Sequence, residues 1–312
     1  MSTNFGARYY TKLQEVSRLQ RIDMLALIKV YVQQRLLYRL SVSESGPSFC
    51  LKGGLMIAAY NGGELLRPTD DIDLNGFGLG GIEDIEHAIR TAVEADVPND
   101  GVTFNSASIR VQKDRGEGII PGGKVVIEAS FHTAKVQLKV DVGFGNVITP
   151  WSEDLEMDIP TLLPDHLPCP RISAYPLETI IAEKLHAMAQ HGYDNTRMKD
   201  YYDIWKIQQN YEFDGETVSR AISATFEQQQ RPINPAMPGL SDLFARKNEK
   251  DWKAFLRKTV MRDERLFSDV LPEVRRFVVP PLACAAGGPA PGRWIHDSGW
   301  DGLTDDFTAS VK

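Results

Sequence analysis

The sequence predicts an α+β chain: a mixed sheet with flanking helices first, then a helical domain. Three observations lead there. Between Val102 and Val142 apolar and polar residues alternate in three runs, the two-residue period of strands. After Pro170, and on to about Val279, apolar residues recur at the three- and four-residue spacings of helices. Between these blocks lie Pro160, Pro164, Pro168 and Pro170, which read as a linker. At 312 residues the chain is long for one core. Domains are therefore expected at 1–165 and 166–279. Residues 280–312, rich in Pro, Gly and Ala and then polar, read as a mobile or loosely docked tail.

The elements follow in order. Thr11–Leu40 reads as helical, because Leu13, Val16, Leu19, Ile22, Leu25 and Ile28 recur every three residues. Ser41–Ser48 is polar, contains Gly46 and Pro47, and reads as a loop. Phe49–Leu51 suits a short strand, Gly53-Gly54 a turn, and Leu55–Tyr60 a small apolar helix broken by Gly62-Gly63. Thr69–Asn75 alternates as a strand does, and Ile82–Ala95 reads as a surface helix. The next strands are expected at Thr103–Val111, Lys124–His132 and Ala134–Val142, with Gly122 and Gly123 turning between the first two.

Composition narrows the function. Hydrophobic residues at 42% and charged residues at 25% fit a soluble globular protein. No apolar run approaches the roughly 20 residues a bilayer requires, and the first residues carry no apolar leader segment. Cys50, Cys169 and Cys284 are few, odd in number and far apart, so neither a disulfide framework nor a zinc site is indicated and a reducing cytoplasm is expected. The net charge of -7 argues against general coating of nucleic acid but allows a local basic patch. His132, His186 and His191 are scattered without HExxH spacing, and neither GxSxG nor a P-loop occurs.

Two regions carry chemistry. In the first, LKGGLMIAAYNGGELLRPTDDIDL (residues 51–74), Asp71 and Asp73 flank Ile72. On a strand they point to one side, where two carboxylates repel unless a cation sits between them. A hard divalent ion suits such oxygens. The turn at Gly53 and Gly54 opens a helix whose first N–H groups are ready to hold phosphate. Either motif alone is common among solvated loops; their combination is the specific signal. Farther on, Gln137, Lys139 and Asp141 share one strand face and Val136, Leu138, Val140 and Val142 the other. Asp141 reads either as a solvent-facing acid at a strand end or as a further site carboxylate.

In the second region Leu177, Ile180, Ile181, Leu185 and Met188 form an apolar stripe, bounded by Pro176 and Gly192, with Lys184 in its middle. A lysine on a packed face needs an anion, either a protein acid or a phosphate. On the next helix Asp200 falls within the apolar face of Tyr201, Ile204, Trp205 and Ile207, with Asp203 at its edge. A Lys184–Asp200 salt bridge that only pins two helices is the plainer reading; a site facing a phosphate is the functional one. Later, Arg246, Lys247, Lys250, Lys253, Arg257, Lys258 and Arg262 cluster, interleaved with Glu249, Asp251, Asp263 and Glu264. That is a candidate RNA-backbone patch or a solvated helix.

KGGLMI followed by RPTDDIDL resembles the glycine motif and D-x-D signature of the DNA polymerase beta-like nucleotidyltransferases. The form Arg-x-Thr-x-Asp-x-Asp-Leu, with AEKLHA at 182–187 and R-x-K-D-x-x-D at 197–203, resembles more narrowly the AbiEii/MenT toxins. The resemblance implies a polymerase beta-like sheet domain, and a helical domain that completes the nucleotide site. It implies two-metal nucleotidyl transfer from an NTP with Mg2+ or Mn2+. Asp71 and Asp73 would be catalytic metal ligands, with Asp141 as a third. Lys52, Gly53, Gly54 and Arg67 would bind the nucleotide. Lys184 would grip its phosphates as part of the catalytic set, Asp200 would complete that set, and Asp203 would bind the nucleotide. Apart from the resemblance, the basic residues Arg197, Lys199, Lys253, Arg257 and Lys258 read as RNA contacts, with solvated charge the plainer reading of Arg197 and Lys199. The family implies a toxin that modifies the 3′ acceptor end of tRNA, with a cognate antitoxin and no membrane. Leu55 departs from the pattern, which has Ser or Thr there. Protein nucleotidylation of the AMPylation type and a non-catalytic interaction module on the same fold are the alternatives.

Overall fold

The computed structural model describes residues 4–113, 122–152, 154–259, 263–296 and 298–302. The chain forms two compact units, Met1–Gly145 with Glu153–Tyr175, and Asn146–Ser152 with Pro176–Lys312.

In the first unit the elements run α1 (Phe5–Gln20), α2 (Met24–Val42), β1 (Phe49–Lys52), α3 (Gly53–Tyr60), β2 (Asp71–Gly76), α4 (Ile82–Glu94), β3 (Val102–Lys113), β4 (Gly123–Phe131), β5 (Ala134–Phe144), β6 (Glu156–Asp158) and β7 (Arg171–Ala174). Among the described residues the strands form a seven-stranded sheet in the order β3-β4-β5-β2-β1-β7-β6. It is mixed, as expected: β2 runs parallel to β5 and β1 to β7, and the other pairs are antiparallel. One face is the core. Ile72, Leu74, Leu138, Val140, Val125 and Ile127 are buried there, and a Cβ on Gly123 would meet Ile85 of α4 and Val111 of β3. Helix α2 is buried along most of its length. Its Arg39 forms a buried ion pair with Asp100, whose carbonyl accepts from the Tyr31 hydroxyl at 2.7 Å.

Three expectations need correction in this unit. The N-terminal helical run is broken: Arg21 turns left-handed (φ 56°), and Asp23 caps α2 by accepting from the Ala26 N–H. A strict three-residue repeat advances only 300° per step, so its stripe slides off the helix face. Leu19 and Leu25 are accordingly 84% and 71% exposed. Gly123 is the first residue of β4, not of the turn; residues 114–121 lie outside the described residues. The proline-rich stretch is not an interdomain linker. It connects β6 to β7, and β7 adds to the sheet through Cys50–Ser173 and Leu51–Ala174 pairing.

The second unit holds α5 (Leu177–His191), α6 (Met198–Asn210), β8 (Phe213–Asp214), α7 (Gly215–Gln228), α8 (Asp242–Leu256), α9 (Phe267–Ala285), β9 (Arg293–Ile295) and β10 (Gly299–Trp300). Helix α6 is buried on nearly every side, which suits a central helix rather than a one-faced one. Its Tyr202 and Trp205 pack against Trp252 of α8, while Trp151 is exposed. The expectation of a loosely docked tail fails from 280 to 302. Helix α9 continues through Pro280 and Pro281, both buried. Strands β8, β9 and β10 then form a small sheet. Trp300 stacks on Phe277, and the indoles of Trp294 and Trp300 donate to the carbonyls of Gln208 and Phe277 at 2.9 and 3.0 Å. Two aromatic anchors outweigh the loop-like composition around them. Residues 303–312 lie outside the described residues.

Trp294→Ala should lower stability by about 3 kcal/mol, as loss of a buried aromatic does. Urea unfolding followed by far-ultraviolet circular dichroism measures it; a change near zero would mean that the indole anchors nothing.

Candidate active site

Asp71 and Asp73 stand on β2 with side chains on the face opposite the Ile72 and Leu74 core. The register defines their neighbours. Asp73 pairs with Asp141 on β5 and Lys52 on β1, and Asp141 pairs in turn with Lys124 on β4. One lateral row therefore reads Lys52, Asp73, Asp141, Lys124, with two carboxylates between two lysines. Neighbouring strands lie about 4.8 Å apart, so the acids are close enough to repel and the lysines close enough to offset part of that charge. Asp71 is one row away, beside Lys139. Its Oδ1 is buried with no hydrogen-bond partner among the described residues. An orphaned carboxylate oxygen is costly unless a donor or cation meets it. Asp70, the neighbouring acid of the motif, is exposed and pairs with Lys29 at 2.6 Å.

The glycine turn meets these acids directly. Gly53 begins α3 with φ +72°, and a Cβ there would overlap the Asp73 carboxylate. A Cβ on Gly54 would lie 2.8 Å from Thr69 Oγ1 and 3.2 Å from Arg67 Nη1. Both glycines are thus required by close approach, the first by conformation as well. The start of α3 has no side-chain cap, which leaves its first N–H groups to other acceptors. Leu55, where the resemblance has Ser or Thr, is buried in the core. The Lys52 ammonium lies 5.6 Å from the Tyr175 ring centroid. Among the described residues no group of three or more His, Cys, Asp or Glu side chains is set to hold a metal ion. Asp73 and Asp141, adjacent on one rung, and the orphaned oxygen of Asp71 are hard donors of the kind a divalent ion takes together with phosphate and water oxygens, but they do not converge as a ready three-ligand cluster.

In the helical unit Lys184 falls within the stripe of Leu177, Ile180, Ile181, Leu185 and Met188, and is 9% exposed. Its Nζ donates to Asp200 Oδ1 at 2.8 Å and to Asp203 Oδ2 at 2.6 Å. Arg197 Nε donates to Asp200 Oδ2 at 2.7 Å. Asp203 is 0% exposed, not at the edge of its helix face, and is as much a partner of Lys184 as Asp200 is. Burial alone would raise the Asp200 carboxyl, but the Lys184 and Arg197 charges outweigh it and hold it at about 2.

The predicted RNA contacts are spread over this unit. Arg197 and Lys199 are exposed on either side of Met198. Lys253 and Arg257 line a cleft of about 480 Å³ together with Asp263 and Glu264, so acids interleave there as the sequence warned. Lys253 pairs with Glu249 at 3.6 Å, Lys258 is exposed, and Arg262 lies outside the described residues. Sequence reasoning missed two contacts. Thr69 closes over Gly54, and its place in the Arg-x-Thr motif was the available signal. Lys124 joins the acid row only through strand register, which no local pattern reveals.

The profile of a family described as "Nucleotidyl transferase AbiEii toxin, Type IV TA system" matches residues 35–278. No curated protein matches the chain. Among solved structures, JHP933 from Helicobacter pylori is 16% identical with a TM-score of 0.47, over 85% of this chain and 94% of that one. The nucleotidyltransferase toxin MenT4 from Mycobacterium tuberculosis is 15% identical with a TM-score of 0.49, over 88% of this chain and 98% of that one.

If Lys184 only pins helices, Lys184→Met should cost about 3–5 kcal/mol by leaving buried acids unpaired. Because Asp203 shares the lysine, Lys184→Met with Asp200→Leu should not restore stability; adding Asp203→Leu should. Thermal unfolding of the three variants decides this, and a fully restored double variant would remove Asp203 from the network. The Asp200 carboxyl lies below its ordinary 3.8. Its contribution of about 2 kcal/mol is present above pH 4 and lost as pH falls toward 2. Asp200→Asn should therefore flatten the fall in stability between pH 4 and pH 2, read from urea midpoints.

Proposed function

Because this chain belongs to the AbiEii nucleotidyltransferase toxin family, we propose that it transfers nucleotides from a nucleoside triphosphate to the 3′ acceptor end of tRNA. The family is that of a type IV toxin–antitoxin system, so a cognate antitoxin is the expected partner. The observation that carries the reading is the row of Lys52, Asp73, Asp141 and Lys124, with Gly53 pressed against the Asp73 carboxylate. It supports a site where anionic oxygens and cations are meant to meet.

Asp71, Asp73 and Asp141 would hold magnesium or manganese. A divalent ion bound there supplies charge neutralisation for the attacking and leaving oxygens. The backbone at Gly53 and Gly54 receives phosphate without a Cβ in the way. Lys52 and Arg67 add positive charge on the same side of the reaction, and Arg67 is held next to Gly54. In the helical unit the reading gives Lys184 the task of offsetting phosphate charge, with Asp200 and Asp203 fixing its ammonium in place. Arg197, Lys199, Lys253, Arg257 and Lys258 are its RNA contacts. In the step itself the acceptor hydroxyl gives up its proton to solvent as its oxygen bonds to the α-phosphorus, the bond from the α-phosphorus to the oxygen that bridges to the β-phosphorus breaks, and pyrophosphate leaves with that electron pair. The buried Leu55 offers no hydroxyl to the phosphates, so those contacts fall to backbone N–H groups and the basic side chains.

Labelled triphosphates, each of the four in turn with magnesium, test the proposal directly. Label in tRNA is expected; label in protein alone would replace it with protein nucleotidylation, and no label at all with a non-catalytic module. Asp73→Ala and Asp71→Asn should each cut transfer by at least about tenfold, since loss of a metal ligand removes several kcal/mol of transition-state stabilisation. A folded Asp73→Ala protein that kept more than a tenth of the wild-type rate would end the metal-ligand assignment.

A further inference from the structure

The acid row continues outward over an open sheet face. On β3, β4 and β5 the residues facing away from the core are exposed or half-exposed. The row of Asp73 runs on through Asp141 and Lys124 to Gln112. The row of Asp71 runs through Lys139 and Val126 to Arg110. Farther along the strands come Gln137, Glu128 and Asn105, then Lys135, Ser130 and Thr103. Outside the site acids, this face sets Arg110, Lys124, Lys135 and Lys139 against Glu128, on a chain whose net charge is -7.

Ordinary explanations account for little of this. Lysines on exposed strands often guard a sheet edge against pairing, but β4 and β5 are interior strands. Lys124 and Lys139 stand opposite Asp141 and Asp71 in the register, whereas Lys135 lies farther from the site acids, and on α8 Lys247 pairs with Asp194 and Lys253 with Glu249. Among the described residues neither Lys135 nor Lys139 has an ion-pair partner. Arg110 Nη1 donates to the carbonyls of Ala107 and Ile109 at 2.9 and 2.8 Å, which holds its guanidinium against the sheet beside the register shift between Asn105 and Arg110. The two rows nearest the acids span three strand spacings, roughly 14 Å.

We propose that this open face of β3, β4 and β5 carries the sugar–phosphate backbone of the acceptor RNA and leads its 3′ end to Asp71 and Asp73. The inference rests on RNA being the acceptor. Arg110, Lys124 and Lys139 supply charge next to the site, and Lys135 extends it. Gln112, Gln137, Asn105, Ser130 and Thr103 offer the uncharged donors that commonly contact phosphate and sugar without reading sequence. Contacts of this kind, from the open face of a sheet to phosphate and sugar, contribute affinity and direction, not base recognition.

The test is binding of tRNA by the full chain at a series of salt concentrations, for wild type, for Arg110→Gln with Lys124→Gln and Lys139→Gln, and for Arg110→Lys with Lys124→Arg and Lys139→Arg. Each lost phosphate contact should lower the slope of log affinity against log salt by about 0.7–0.9. The neutral triple variant should therefore lose roughly two units of slope, and the charge-keeping variant should retain it. An unchanged slope in the neutral variant overturns the proposal, including the case in which the face serves a protein partner. Equal loss in the charge-keeping variant overturns it as well, because shape and not charge would then be at work. These outcomes are read from binding, whereas the acceptor itself is read from labelled nucleotide in wild type. Label that enters RNA alongside an unchanged slope rejects the track alone; label that enters only protein rejects the acceptor on which the track depends.

Discussion

The parallel ladder between β2 and β5 is the constraint on which the first unit depends. It joins residues about seventy positions apart and places Asp73 on the same rung as Asp141. Ordinary sheet formation opposes that juxtaposition, since like charges directly opposite each other destabilise a pair. The apolar partners on the reverse face, Ile72 with Val140 and Leu74 with Val142, hold the rung in place. A slip of one residue would turn the carboxylates into the core and the apolar side chains out, so burial on one face enforces the electrostatic crowding on the other. The glycine turn is bound into the same constraint, because β1 delivers Gly53 against Asp73 through the Lys52–Asp73 pairing.

The helical unit meets a comparable problem by a different route. Helix α6 is buried on nearly all sides, yet it carries Asp200 and Asp203 into that interior. The desolvation cost of two carboxylates is met by Lys184 from α5 and by Arg197 at the helix start. Such a cluster is a poor source of stability compared with well-packed apolar residues. Its virtue is position: an ammonium held by two fixed acids cannot wander among rotamers, which is what electrostatic preorganisation demands of a charge.

Much of this was legible in the sequence where local pattern decides structure. The alternation around Ile72 put Asp71 and Asp73 on one face of a strand, and the stripe around Leu185 put Lys184 on a packed one. Reading failed where long-range pairing or packing decides. Strands β6 and β7 are three and four residues long, too short to show a period, and the prolines between them disguise a connection as a linker. The tail reads as loose because two anchoring indoles are few among Gly, Pro and Ala, although their burial decides the outcome. Asp203 looked peripheral because a wheel shows one helix at a time and not what surrounds it. Lys124 and Lys139 became part of the site only through register, which is a property of pairs of strands.

The placement of the indoles has a spectroscopic consequence. All five tryptophans, Trp151, Trp205, Trp252, Trp294 and Trp300, belong to the second unit, and all but Trp151 are buried. Intrinsic emission excited in the indole band therefore reports on the helical unit alone, while the sheet that bears Asp71 and Asp73 is dark at that wavelength. A cooperative loss of that emission would follow one unit's melting and could coincide with an intact sheet. Agreement between indole emission and a backbone signal is the condition for treating the chain as two-state, and a single tryptophan placed in the first unit, on the exposed side of helix α4, would make the silent half visible.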